Sequence, residues 1–174
     1  MKILFDEIPE TGLTLGIHDA SWFPEGDWSS VGPVQADLLM TRRNRQVVLD
    51  GRLQFVIRVE CDCCLEAYED RYDECFQIEF EYLPSDDPYW SVDAGEHECP
   101  EEEMDVVFIR EPALNVENIL EQQVLLMLPV KRVCSDNCRG LCSHCGKNLN
   151  KAPCTCRENE SNSPFKALAQ IKGK

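Results

Sequence analysis

Six cysteines lie between Cys134 and Cys156, spaced Cys134-x3-Cys138-x3-Cys142-x2-Cys145-Gly146 and then Cys154-x-Cys156. Thiols this dense over so short a stretch read as a metal site, with disulfides or inert buried thiols as the alternatives. A tetrahedral zinc ion takes four soft ligands, and a Cys-x2-Cys turn brings two sulfurs onto one metal. Gly146 can adopt the left-handed backbone that tightens such a turn. Cys142 and Cys145 are therefore the leading ligands, and two more would come from Cys134, Cys138, Cys154 and Cys156. A sulfur-bridged pair of metals is the alternative arrangement.

Disulfides or inert buried thiols are the competing explanation, and composition weighs against it. It has 11 cysteines, an odd number that leaves one unpaired in any complete framework. Met1-Lys2-Ile3-Leu4-Phe5-Asp6-Glu7 contains no apolar stretch followed by a small-residue cleavage site, so the expected compartment is the reducing cytoplasm. No run approaches the ~20 apolar residues of a membrane-spanning helix. Structural zinc is the cofactor these observations favour.

Charge is distributed unevenly along the chain. The formal net charge of −15 suggests a protein that repels nucleic acid. Yet eighteen acidic residues and one basic residue, Arg71, lie between Glu60 and Asp105, and the remaining sequence holds fourteen acidic and sixteen basic residues. Arg42, Arg43, Arg45, Arg52 and Arg58 lie close together, and Pro129 to Lys174 carries nine Lys/Arg against three Asp/Glu. Arg42, Arg43 and Arg45, together with Lys147, Lys151 and Arg157, are the candidate contacts to RNA. The acidic belt, including Glu101, Glu102 and Glu103, reads as a solubilising surface or as a site for a basic protein.

Residue periodicity indicates an α+β chain. Val34–Met40 leads through a polar turn into Val47–Glu60, where Leu53, Phe55, Ile57 and Val59 alternate with Gln54, Val56, Arg58 and Glu60. Phe76, Ile78, Phe80 and Tyr82 alternate in a second strand expected to pair antiparallel with the first. Pro84 to Glu103 reads as a mobile charged loop and Val106–Ile109 as a short strand. Asn115 is a suitable N-cap for a helix carrying Val116, Ile119, Leu120, Val124, Met127 and Leu128, which Pro129 stops. The expected architecture is an antiparallel β-sheet with one packed helix over residues 1–128, then a zinc-tied cysteine-rich segment over 129–174. Ser163-Pro164 would open a short terminal helix with Phe165, Leu168, Ala169 and Ile171 on one face.

Cys61 and Cys64 also have metal-turn spacing, but two ligands do not close a tetrahedral site. Either they recruit two cysteines from the later cluster, giving eight thiols for two zinc ions, or they are buried thiols at a strand turn. Cys75 and Cys99 lack metal-turn partners in sequence and are expected to be a core thiol and a loop thiol. His144, between two cysteines, is expected to be exposed, and His18 and His97 have no companions for catalysis. The chain contains no phosphate-binding glycine loop, no Ser/His/Asp set and no paired carboxylates in an apolar setting, so an enzyme or a thiol redox switch is disfavoured.

Several of these segments together resemble the YceD family. They are Cys61-x2-Cys64-Leu65 after Val56–Glu60, the helix ending Leu128-Pro129-Val130, the run from Cys138 to Asn150, the pair Cys154-Thr155-Cys156, and Ser163–Lys172. The resemblance implies a non-enzymatic bacterial factor, with plastid relatives, that supports large-subunit (23S) ribosomal RNA accumulation and ribosome biogenesis. It implies as partner a ribosomal RNA precursor or a large-subunit ribosomal protein, with no membrane and no small-molecule substrate. The alternative function is a zinc-stabilised adaptor that binds a basic ribosomal protein through the acidic belt. Where the family usually has a basic residue inside its first cysteine pair, this chain has Cys63, which leaves Cys61/Cys64 and Cys61/Cys63 both open as that pair.

Overall fold

In the computed structural model, which describes residues 1–84, 86 and 106–156, most of the regular structure is strand. The elements are β1 (Lys2–Leu4), a short 3₁₀ turn (Phe5–Glu7), β2 (Leu13–Ile17), β3 (Trp28–Ser30), β4 (Gln35–Arg43), β5 (Gln46–Glu60), β6 (Ala67–Tyr82), β7 (Val106–Ile109), β8 (Ala113–Asn115) and α1 (Val116–Met127). Two compact units result. One contains Met1–Glu60 and Ala67–Arg132; the other contains Cys61–Glu66 and the chain from Val133 onward.

The period-2 pattern of β5 organises the first unit. Val47, Leu49, Leu53, Phe55, Ile57 and Val59 share one face and are each no more than 2% exposed. At Gly51 the same face is filled by the ring of Phe76, its cross-strand partner, and a Cβ there would overlap that ring. β5 pairs antiparallel with β4 on one side and with β6 on the other, the latter over its whole length. Asn44 makes the β4–β5 turn with φ +57, a left-handed conformation that asparagine tolerates.

β2 extends the sheet beyond β4, and β3 pairs with the end of β5. The last pairing departs from the antiparallel expectation, since β7 runs parallel to β6. The physical reason is the connection. Antiparallel neighbours can be joined by a tight turn, whereas more than twenty residues separate β6 from β7, enough for a crossover. β1 and β8 form a separate two-stranded ladder.

α1 begins where expected, with the Asn115 side chain accepting from the Asn118 N–H at 3.5 Å, and its C-cap is Leu128, next to Pro129. Its Val116, Ile119, Leu120 and Val124 join Ala36, Leu38 and Met40 of β4 and the inner face of β5 in one apolar cluster. The outer face is polar. Arg52 forks onto Asp73 at 2.7 and 2.9 Å, Arg58 pairs with Glu69, and Gln77 donates to Asp50. The charged loop from Pro84 to Glu103 and the terminal helix expected after Ser163 lie almost wholly outside the described residues.

Candidate metal centre

The six residues joining β5 to β6, Cys61 to Glu66, belong to the second unit and form a tight turn. The Leu65 N–H donates to the Cys61 carbonyl at 2.9 Å, the Cys61 N–H donates to the Glu66 carbonyl at 3.0 Å, and Leu65 has φ +57. A second turn, from Cys142 to Lys147, repeats each feature. There the Gly146 N–H donates to the Cys142 carbonyl at 2.9 Å, the Cys142 N–H donates to the Lys147 carbonyl at 2.8 Å, and Gly146 has φ +69. Both turns place two cysteine sulfurs on the same side of the backbone, which is the local requirement for holding one metal with a Cys-x2-Cys pair.

Each turn is completed by two further cysteines. Cys61 and Cys64 gather with Cys134 and Cys138, while Cys142 and Cys145 gather with Cys154 and Cys156; within each quartet all sulfurs lie within 4.8 Å of one another. Cys61 to Cys138 and Cys64 to Cys134 are both 3.8 Å, and Cys154 is 3.5 Å from Cys145 and 3.4 Å from Cys142. A tetrahedron with zinc–sulfur bonds of about 2.3 Å has edges of about 3.8 Å. The donor sets therefore suit a soft tetrahedral cation, and both consist of cysteine alone.

The six cysteines of the C-terminal cluster are thus divided between two groups. Cys134 and Cys138 join the early pair Cys61/Cys64, and Cys154 and Cys156 complete the group of Cys142/Cys145. Cys64, not Cys63, pairs with Cys61; Cys63 instead uses its carbonyl to accept the Leu141 N–H at 3.0 Å. Gly140, with φ +67, passes so close that a Cβ there would lie 2.9 Å from the Cys63 carbonyl oxygen. His144 is exposed, as expected, and outside both groups, whereas Cys75, expected in the core, is exposed on β6. Cys99 and Arg157 lie outside the described residues.

Electrostatics differ within each quartet. Burial opposes ionisation of Cys61, but N–H groups of Cys134, Cys63 and Cys64 directed at its sulfur outweigh this and bring its pKa down to about 6. Cys142 also lies at about 6, held by the N–H groups of Cys145 and His144. The opposite applies to Cys134 and Cys156. Cys134 is raised to about 12 by its hydrogen bond with Cys138 and by burial, and Cys156 to about 12 by its hydrogen bonds with Cys154 and Cys145 and by burial. Each group thus accommodates some thiolate charge but resists accumulating four, which is the imbalance a divalent cation relieves.

Sequence reading overlooked three side chains beside these cysteines. The Asn150 amide donates to the Cys138 sulfur at 3.3 Å and its carbonyl accepts the Arg139 N–H at 2.8 Å. Glu66 accepts from Lys151 at 2.5 Å and from Asn148 at 3.4 Å, and the Lys151 ammonium holds the Glu66 carboxyl below its ordinary value. Aligning the two Cys-x2-Cys turns would have drawn attention to Glu66 and Lys147 as matching positions. Nothing in local spacing marks Asn148 or Asn150.

The candidate RNA contacts are differently placed. Arg42 pairs with Asp6 at 2.7 Å, and Arg43 and Arg45 flank Asn44 at the β4–β5 turn with no carboxylate partner among the described residues. Lys151 is engaged by Glu66, while the Lys147 ammonium reaches the Pro153 carbonyl at 3.5 Å. Among the described residues, no helix is long and apolar enough to cross a membrane.

The family model for large ribosomal RNA subunit accumulation protein YceD matches residues 49–172, from within β5 through both cysteine groups. A curated relative, the chloroplastic large ribosomal RNA subunit accumulation protein YCED homolog 1 of Arabidopsis thaliana, is 24% identical over 170 residues, covering 88% of this chain and 51% of the relative. The chain therefore spans about half the length of that relative. No solved structure matches it. With more than two thirds of its length within the family model, this chain belongs to the YceD family.

Proposed function

We propose that this chain supports accumulation of the large-subunit ribosomal RNA by binding rather than by catalysis, with zinc as a structural cofactor. The observation that carries the reading is the family match over residues 49–172, which includes all eight cysteines of the two quartets. The partner proposed is ribosomal RNA itself. Support comes from the exposed β4–β5 turn, where Arg43 and Arg45 lack carboxylate partners among the described residues, whereas Arg52 and Arg58 on the same sheet are neutralised by Asp73 and Glu69.

The test uses the full chain and a large-subunit ribosomal RNA fragment over a range of salt. Each phosphate contact contributes about −0.7 to −0.9 to the slope of log affinity against log salt. Replacing Arg43 and Arg45 with Gln should flatten that slope and lower large-subunit RNA in cells that depend on the protein. Unchanged slope and unchanged RNA level would refute the contact. Loss of function on replacing Glu101, Glu102 and Glu103 instead would indicate a basic protein as the partner.

A further inference from the structure

We propose that this chain binds two zinc ions, one in each cysteine quartet, and that Asn150 is a positioning residue through which the second site supports the first. The inference rests on the zinc part of the proposed function and is independent of the ribosomal role.

The two sites are the same device built twice. Cys61–Glu66 and Cys142–Lys147 share their cross-turn hydrogen bonds and the left-handed residue after the second cysteine. Their completing cysteines come from different segments. The first quartet ties the β5–β6 connection to residues more than sixty positions later, and the second closes within fifteen residues. Eight thiols in two separate tetrahedral groups, with no histidine or carboxylate among them, suit two soft d¹⁰ cations of the zinc class rather than calcium or magnesium.

Coupling follows from the loop between Cys145 and Cys154. Both of its ends are ligands of the second site, while its middle serves the first. Asn150 gives an N–H···S bond to Cys138 and fixes the adjoining Arg139 N–H. Asn148 and Lys151 hold Glu66, which closes the first turn. Metal in the second site pins this loop and so presents Asn150 to a ligand of the first. Outer hydrogen-bonding partners of this kind typically change metal affinity by about 10- to 100-fold.

The experiment is metal counting and chelator competition on the full chain, purified under reducing conditions and loaded with Zn²⁺. Two equivalents per chain are expected; one or none would overturn the proposal, and none would also overturn structural zinc in the functional reading. Cys61→Ser/Cys64→Ser should retain one equivalent at wild-type affinity, whereas Cys142→Ser/Cys145→Ser should retain one equivalent, in the first site, bound about 10- to 100-fold more weakly because its loop is no longer pinned; equal affinity there to the wild-type first site would overturn the coupling. Asn150→Asp keeps the acceptor for Arg139 but replaces the donor to Cys138, so it should retain two equivalents with one bound about 10- to 100-fold more weakly. Adding Asn150→Asp to the Cys61→Ser/Cys64→Ser chain should leave the remaining ion unaffected. Unaltered affinity in the single Asn150→Asp variant, or weakening of that remaining ion, would overturn the coupling. Should the cysteine variants fail to fold, the wild-type count and Asn150→Asp still decide the matter.

Discussion

Leu65 and Gly146 occupy the same position in two equivalent turns, yet only one is glycine. A leucine at φ +57 carries the steric strain that L-residues meet in the left-handed region, about 1 kcal/mol. Its side chain is 62% exposed, so little burial offsets that strain. Leu65→Gly is therefore expected to stabilise the first turn by about 1 kcal/mol, partly reduced by the extra freedom of glycine in the unfolded chain. Chelator titration followed by circular dichroism measures it, and a variant that loses metal more readily than wild type would contradict the assignment of strain. Gly140 has the reverse constraint, because both its φ of +67 and the nearby Cys63 carbonyl exclude a side chain.

At the scale of elements, β5 has most to lose from substitution. It is flanked by β4 and β6, and its inner residues are almost wholly removed from solvent. Leu53 is fully buried at the middle of this strand, so Leu53→Ala removes apolar contacts that the surrounding strands cannot collapse to replace. The expected cost is about 2–5 kcal/mol, read from urea unfolding monitored by tryptophan fluorescence. A cost below about 1 kcal/mol would mean the strand is not the centre of the core. The ion pairs on the outer face contribute far less, since Arg52–Asp73 and Arg58–Glu69 are exposed and screened by solvent.

At the scale of the whole molecule, the two units draw stability from different sources. The first has a continuous apolar core, whereas the second is organised around two cysteine quartets. Metal binding should supply much of the folding energy of the second unit, because its described residues contribute none of the apolar core cluster and a small segment of that kind seldom holds its shape alone. Chelation is thus expected to expose the amides of Cys61–Glu66 and of residues 133–156 to hydrogen exchange while β4, β5 and the paired length of β6 remain protected. Uniform loss of protection across β5 would show that the sheet also depends on metal.

The strands with strict alternation, the helix with its Asn115 cap and Pro129 stop, and the cysteine-rich character of the C-terminal segment were all legible from the order of residues. These signals are local: a period, a cap and a spacing are written within a few residues of where they act. Short strands such as β1 and β8 were not legible, because three residues carry no period and the pair exists only through each other. The same limit applied to the metal groups. Spacing identified Cys142/Cys145 and Cys61/Cys64 as pairs, but the folded chain was needed to assign Cys134 and Cys138 to the early pair and Cys154 and Cys156 to the late one. A tetrahedral site is a condition on distances among four side chains, and when two of them lie more than sixty residues from the others, the path of the chain through space alone sets those distances.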